Sequence, residues 1–404
     1  MKIVHANKYY FIKGGAERYF FDVQKLLIDR GHDAIPFAMH DTQNVPSVWD
    51  NYFVSHVETR PRSFRAAIKT AARFFYSFEA RRKFGRLLDA TSPDLVHVHN
   101  IYHQISPSIL SAAKRRGVPV VMTVNDYKFI APNYSLYHDG AICERTKPDR
   151  YSRAVAHRCI RGSRGASTLD VAEMYFHKWT GLYRNNIDAL IAPTAFVEQK
   201  LREYGVTLPI TRIPYFIDAF GRAPSYGAGE YILFVGRLSP EKGVDVLIRA
   251  AAQIKDIPVH IVGTGPEEAR LRALATKLNA TNVVFRGFQS GDALEHIYAQ
   301  CRAIVVPSVW YEVAGIIVLE AYAAGKPAIV SQIGGLAEMI KAGETGWYAP
   351  AGDPSGLAAQ IAHTWQNPDE CELFGRRGRQ WVEQDFSPDS HYQKLLALYQ
   401  KTVS

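Results

Sequence analysis

Through the first half of the chain, short β-branched runs alternate with longer stretches whose apolar residues recur every three or four positions. Residues 3–6, 34–39, 95–99, 119–124 and 190–193 read as buried strands, and residues 16–30, 105–116 and 195–204 as amphipathic helices. A last strand of this half falls near 210–213. The second half repeats the logic, with strands near 231–235, 259–263, 283–286, 303–306 and 327–331 and helices between them. Strands that alternate with helices predict mostly parallel sheets covered on both faces, an α/β fold class. The small-residue stretch 218–229 reads as a linker, and residues 388–400 as a closing amphipathic helix.

Composition narrows the class. A length of 404 residues suits two domains better than one core. Hydrophobic content of 47% with 22% charge is ordinary for a globular chain and argues against disorder. The sequence has no apolar run long enough to span a bilayer, and its first residues are too brief a hydrophobic stretch for a secretory signal. The scattered cysteines Cys143, Cys159, Cys301 and Cys371 suit a reducing cytoplasm. The net charge of +9 is uneven. Arg60, Arg62, Arg65, Lys69, Arg73, Arg81, Arg82, Lys83 and Arg86 face a single acid, Glu79. Phe64, Ile68, Ala71, Phe75 and Phe78 form an apolar stripe beside them. Such a stripe suits an anionic membrane surface through residues 60–86, or equally a packed helix with a solvated face. Nucleic acid is not expected, since no binding module accompanies the charge.

Three constellations carry chemistry. The strand 231–235 runs into Gly236-Arg237-Leu-Ser-Pro-Glu-Lys242-Gly243, so Arg237 and Lys242 stand at the carboxyl end of a strand, where open α/β sheets bind ligands. A guanidinium and an ammonium there suit a diphosphate. Downstream, Glu312-Val-Ala-Gly315-Ile316-Ile317-Val-Leu-Glu320 reads as the start of a helix. Its first amides (Gly315, Ile316, Ile317) would form an anion site, and Gly315 would admit a phosphate without a Cβ in the way. Glu312 and Glu320 could accept sugar and ribose hydroxyls; the plain alternative is a core helix with two surface glutamates. Third, His99 and Asn125-Asp126 fall at strand ends and are expected on one rim. His97, His99 and His103 leave a metal site possible, but a catalytic zinc needs three convergent ligands and a second shell, and a satisfied core histidine weighs about equally; Cys143 with Cys159 lack further ligands, so no metal is expected. Val262-Gly263-Thr-Gly265-Pro-Glu-Glu268 lacks the third glycine of a dinucleotide fingerprint and reads as a plain strand-to-helix turn.

The segment 236–243, Glu312 with Glu320, Gly334-Gly335, Gly343-Glu-Thr-Gly346 and the amino-terminal Lys13-Gly14-Gly15-Ala16-Glu17-Arg18 together resemble a retaining glycosyltransferase of family 4. The resemblance covers nearly the whole chain. It implies the GT-B fold, two Rossmann-like domains with parallel sheets facing across a cleft: residues 1–217 on the acceptor side, with 388–404 packing back on it, and 218–387 holding a nucleotide-sugar donor. It implies catalytic roles for Glu312, Arg237, Lys242, Asp126 and His99. Donor contacts fall to Glu320, Gly315, Ile316 and Ile317, with Gly14, Gly15 and Asn125 counted beside them; Gly14 and Gly15 also give an acceptor close approach. The implied reaction moves a hexose from a nucleotide-diphosphate sugar to a lipid-linked or other cell-envelope glycan precursor, with retention, and with no metal or other cofactor. Asn125 departs from the family, in which a histidine often precedes the aspartate; asparagine cannot take a proton at neutral pH. A nucleotide-sugar epimerase of the same fold is the rival enzyme and would turn over donor without acceptor. A nucleic-acid or scaffold protein on a transferase fold is the rival outside enzymes, disfavoured because the phosphate-site residues are all present.

Overall fold

The computed structural model describes residues 1–57 and 64–404, and side chains outside 64–69. Its strands are β1 (Lys2–Ala6), β2 (Asp33–Phe37), β3 (Leu95–Val98), β4 (Val120–Thr123), β5 (Tyr137–His138), β6 (Ala141–Ile142), β7 (Ala189–Ala192), β8 (Ile210–Arg212), β9 (Tyr231–Val235), β10 (Val259–Val262), β11 (Val283–Gly287), β12 (Cys301–Val306), β13 (Ala328–Ser331) and β14 (Gly346–Ala349). The helices of the first half are α1 (Gly15–Asp29), α2 (Phe64–Phe75), α3 (Phe78–Thr91), α4 (Ser108–Lys114), α5 (Arg153–Ala156), α6 (Arg164–Thr180) and α7 (Ala195–Glu203). Those of the second are α8 (Val244–Ala251), α9 (Glu268–Lys277), α10 (Gly291–Gln300), α11 (Ile316–Ala323), α12 (Pro354–Gln366), α13 (Pro368–Asp385) and α14 (Pro388–Val403).

The chain divides into two compact units. The first comprises Met1–Ser135, Glu144–Ile213 and Tyr392–Ser404, and the second Leu136–Cys143 with Pro214–His391. In the first unit the sheet order is β2-β1-β3-β4-β7-β8, parallel throughout. β3, β4 and β7 are buried along their whole length, which is why they read as continuous apolar runs rather than alternating ones. The end of α14 belongs here: Leu395 and Tyr399 are fully buried, and Tyr392 Oη lies 2.8 Å from His32 Nε2.

The second unit repeats the plan with order β11-β10-β9-β12-β13-β14, again all parallel. Ile232, Phe234, Leu247, Ile261, Val305 and Ile361 sit in its core beneath α8 and α12. β14 and the small β5–β6 hairpin are elements the hydrophobic pattern did not disclose. A length of four residues opening on a glycine in β14, and of two residues in each hairpin strand, leaves too little periodicity to read.

Chain order reverses in each sheet, between β1 and β3 in the first and between β9 and β12 in the second. Such reversals open a crevice at the strands' carboxyl ends. The expected helix 105–116 is shorter in fact, because His103 and Ser106 take left-handed backbone and hold residues 101–107 as a turn. The basic stretch 60–86 is not one helical stripe. In its described part, α2 ends at Phe75 and α3 starts afresh, capped by the Ser77 hydroxyl accepting from the Ala80 N–H at 3.1 Å. No helix among the described residues is long and apolar enough to cross a membrane.

Candidate active site

At the switch point of the second unit, β9 leads into Gly236-Arg237 and β12 into Pro307-Ser308. The Arg237 loop is held from beneath by backbone: Gly236 N–H donates to the Val262 carbonyl at 3.0 Å and Leu238 N–H to Thr264 at 3.0 Å. The approach is so close that a Cβ on Gly263, at φ +131°, would come 1.9 Å from the Gly236 oxygen. The loop 262–268 is therefore the buttress of the Arg237 loop. Arg237 itself is exposed, and no ion pair among the described residues includes it.

Lys242 and Glu312 meet. The ammonium lies 2.6 Å from Glu312 Oε1, and the same oxygen accepts from the Ser308 hydroxyl at 2.7 Å. The Trp310 ring centroid is 5.6 Å from the Lys242 nitrogen. Glu312 is 8% exposed and is fixed by its own backbone, whose carbonyl accepts from Gly335 N–H at 2.8 Å. That bond needs Gly334 in left-handed backbone, where a side chain would press within 2.8 Å of Tyr311 Cα. Ser308 and Trp310 are site residues the motif reading missed, because a serine after a strand and a tryptophan carry no spacing signal of their own.

α11 begins at Ile316 with Gly315 as its N-cap and no side-chain cap; Val318 N–H donates to the Gly315 carbonyl at 2.8 Å, while the amides of Ile316 and Ile317 precede the first intrahelical bond. A Cβ on Gly315 would come 2.8 Å from Leu336 Cδ1, so packing beneath the turn also favours a glycine at this position. Farther along, Glu320 is half-buried and accepts from the Tyr298 hydroxyl at 2.9 Å. Burial first, and then Glu320, raise the Tyr298 pKa well above its ordinary value, which keeps that hydroxyl a donor.

In the first unit the expected residues separate. Asp126 follows β4, is half-buried, and accepts from the Lys128 N–H at 2.9 Å. Its pKa is raised from 3.8 to about 6, chiefly by burial and against the pull of Lys8 and Lys128. Asn125 beside it is half-buried. Lys8 follows β1, its N–H donating to the Asn100 carbonyl at 2.7 Å, and buried Glu17 on α1 completes a charged group around Asp126. Gly14 and Gly15 lie exposed at the start of α1. Near them a cavity of about 350 Å³ is lined by Tyr9, Phe11, Lys13, Asp41, Gln43 and His56.

His99 does not reach a rim. It is fully buried against Phe20, Tyr19, His97 and His5, and its backbone N–H donates to the Ala6 carbonyl of β1 at 2.8 Å. His103 turns elsewhere: it stacks on Phe74 at 4.5 Å and lies 3.0 Å from Glu173 Oε2. Glu173 also pairs with buried Lys128 at 2.8 Å. Burial alone would raise the Glu173 pKa, but Lys128 and His103 outweigh it and hold the carboxylate well below its usual range.

For the membrane stripe, Arg60 and Arg62 lie outside the described residues, as do the side chains of Phe64, Arg65, Ile68 and Lys69. Arg73 contradicts the expectation: it turns inward to Ser55 Oγ at 2.9 Å and Glu79 at 3.2 Å. Phe75 packs edge to face on Phe176.

The family model of glycosyltransferase family 4 matches residues 13–219, and that of glycosyl transferases group 1 matches residues 218–381. An uncharacterised glycosyltransferase of Methanocaldococcus jannaschii is 35% identical over 172 residues, covering 42% of this chain and 44% of that one. The O-antigen chain mannosyltransferase C of Escherichia coli is 31% identical over 171 residues, covering 42% and 46%. The chain thus matches less than half the length of either relative. HepE of Anabaena, solved in complex with UDP-glucose, superimposes with a TM-score of 0.71 at 18% identity over 99% of this chain and 100% of that one. Likeness of that kind shows the fold, which is GT-B.

Proposed function

This chain belongs to glycosyltransferase family 4, and from that premise we propose that it moves a hexose from a nucleotide-diphosphate sugar to a hydroxyl of a lipid-linked or other cell-envelope glycan precursor, with retention of configuration. The observation that carries the reading is the group Arg237, Lys242 and Glu312 at the switch point of the second unit, beside the uncapped start of α11.

In this reading Arg237 and Lys242 neutralise the departing diphosphate, which also receives the amides of Gly315, Ile316 and Ile317. A cationic clamp of this kind supplies the charge that a metal ion would otherwise bring to the leaving group. Glu312, held rigid by Ser308 and the Gly335 amide, orients Lys242 and accepts from a donor-sugar hydroxyl. Glu320 keeps one oxygen on Tyr298 and offers the other to ribose. The HepE complex supports a uridine donor. In the first unit the acceptor lies against Tyr9, Phe11 and Lys13 near Gly14 and Gly15, where aromatic faces and a cation suit a sugar that carries phosphate. Asp126, with its raised pKa, holds or gives up a proton near neutral pH; His99, sealed in the core, has no place in the reaction. Among the described side chains of 60–86, exposed Phe78, Arg82 and Arg86 on α3 are the ones this reading sets against an anionic membrane surface.

A thermal-shift screen with UDP-, GDP- and ADP-sugars, followed by transfer assays on crude envelope lipid, tests the reading. Stabilisation by one nucleotide class that disappears in Arg237→Ala is the expected result. Turnover of donor with no acceptor present would favour an epimerase instead.

A further inference from the structure

We propose that His5, His97 and His99 form a three-imidazole site for one first-row transition cation of the Zn²⁺ class. The site does not depend on the glycosyl-transfer reading. On a strand, positions two apart share a face, so His97 and His99 project to one side of β3 and its continuation. The parallel register of β1 with β3 sets His5 directly beside His97. Ring centroids lie 5.1 Å apart for His5 and His97, 4.3 Å for His97 and His99, and 5.9 Å for His5 and His99. One nitrogen from each comes within 4.8 Å of the other two. An HxH strand with a third imidazole on its neighbour supplies the three protein ligands of a tetrahedral zinc site.

All three rings are fully buried, and neither nitrogen of His5 nor of His99 has a hydrogen-bond partner among the described residues. Four such atoms in a packed interior are costly unless something polar sits among them. A cation bound by these rings takes one lone pair from each. The π faces of Phe20 and Tyr19, both edge to face with His99, suit a leftover N–H. His97 is held at both nitrogens, Nδ1 by Tyr399 Oη and Nε2 by Thr123 Oγ1, each at 2.7 Å. The Tyr399 contact is the kind of outer partner that fixes a ligating imidazole, while the Thr123 hydroxyl yields Nε2 to the metal and leaves itself or a water as fourth ligand. With nitrogen donors and no carboxylate in the set, Zn²⁺ is taken and Mg²⁺ or Ca²⁺ is not.

The test uses tag-free full-length protein grown with zinc and passed over chelating resin. Near one zinc per chain is expected, with X-ray absorption showing three imidazole nitrogens at about 2.0 Å. Stripping with chelator should lower the melting temperature, and Zn²⁺ but not Mg²⁺ should restore it. His5→Gln with His99→Gln should lose the zinc. Failure of stripped protein to take up zinc overturns the proposal and leaves the pocket to a buried water. So does zinc retained in full by a folded double variant. Should that variant not fold, the wild-type absorption spectrum decides, and a shell of carboxylate or thiolate ligands overturns the site.

Discussion

Lys242 and Arg237 share a loop but not a structural burden, and their substitutions should separate accordingly. Arg237 is exposed and in no ion pair among the described residues, so Arg237→Ala should leave the melting temperature unchanged. Donor affinity should weaken roughly 10- to 150-fold, the equivalent of one lost charge-assisted interaction of about 1.5–3 kcal/mol. Lys242→Met removes the ion partner of Glu312, which is 8% exposed, so it should cost about 1–3 kcal/mol of stability besides turnover. Equal melting temperatures for the two variants would contradict the Lys242–Glu312 contact. Asp126 gives a pH prediction. Its folded pKa, raised from 3.8 to about 6, means that the folded state binds the extra proton between those values. The associated stability is present below pH 3.8 and is lost as pH rises through about 6, amounting to at most about 3 kcal/mol. Asp126→Asn should therefore gain on wild type as pH rises from 4 to 7 in thermal melts, and parallel curves would refute the shift.

At the scale of elements, the turn after β4 is held by an ion pair between distant segments. Lys128 and Glu173 are both almost wholly inaccessible and lie 2.8 Å apart, with His103 on the same carboxylate. Removing one partner strands a buried charge, so Glu173→Leu should destabilise by about 3–5 kcal/mol in denaturant melts. The double change Lys128→Met with Glu173→Leu should recover most of that loss, because two apolar groups of similar volume need no partner. A double variant as weak as the single one would show that the pair's role is not charge compensation. The Gly334 turn is the matching device in the second unit, where the left-handed backbone lets the loop lie on Tyr311 and Glu312.

At the scale of the whole molecule, the last helix closes the first unit. Leu395 and Tyr399 are fully buried there, and the Tyr399 hydroxyl reaches His97 on β3, 302 residues earlier. Deleting residues 392–404 should abolish amide-exchange protection in β1 and β3 while β9 and β12 keep theirs. Unchanged exchange in β1 and β3 would show that the first unit closes without the helix.

The sequence by itself determined the two parallel sheets, because strands buried on both faces must be continuously apolar and helices covering them must be amphipathic. It also determined where Arg237, Lys242, Glu312 and Glu320 fall, since the two cations follow a recognisable strand and the two glutamates flank a recognisable helix start. Tertiary structure alone decided what lies beside what. His5 and His97 are neighbours by a strand register set across more than 90 residues, and that register replaced His103 in the trio read from the chain. His99 lies in the core because Phe20, Tyr19, His5 and His97 pack around it, and Leu336 lies against the position a Cβ on Gly315 would take. Such pairings follow from the simultaneous packing of non-local elements, and no local period or spacing encodes them.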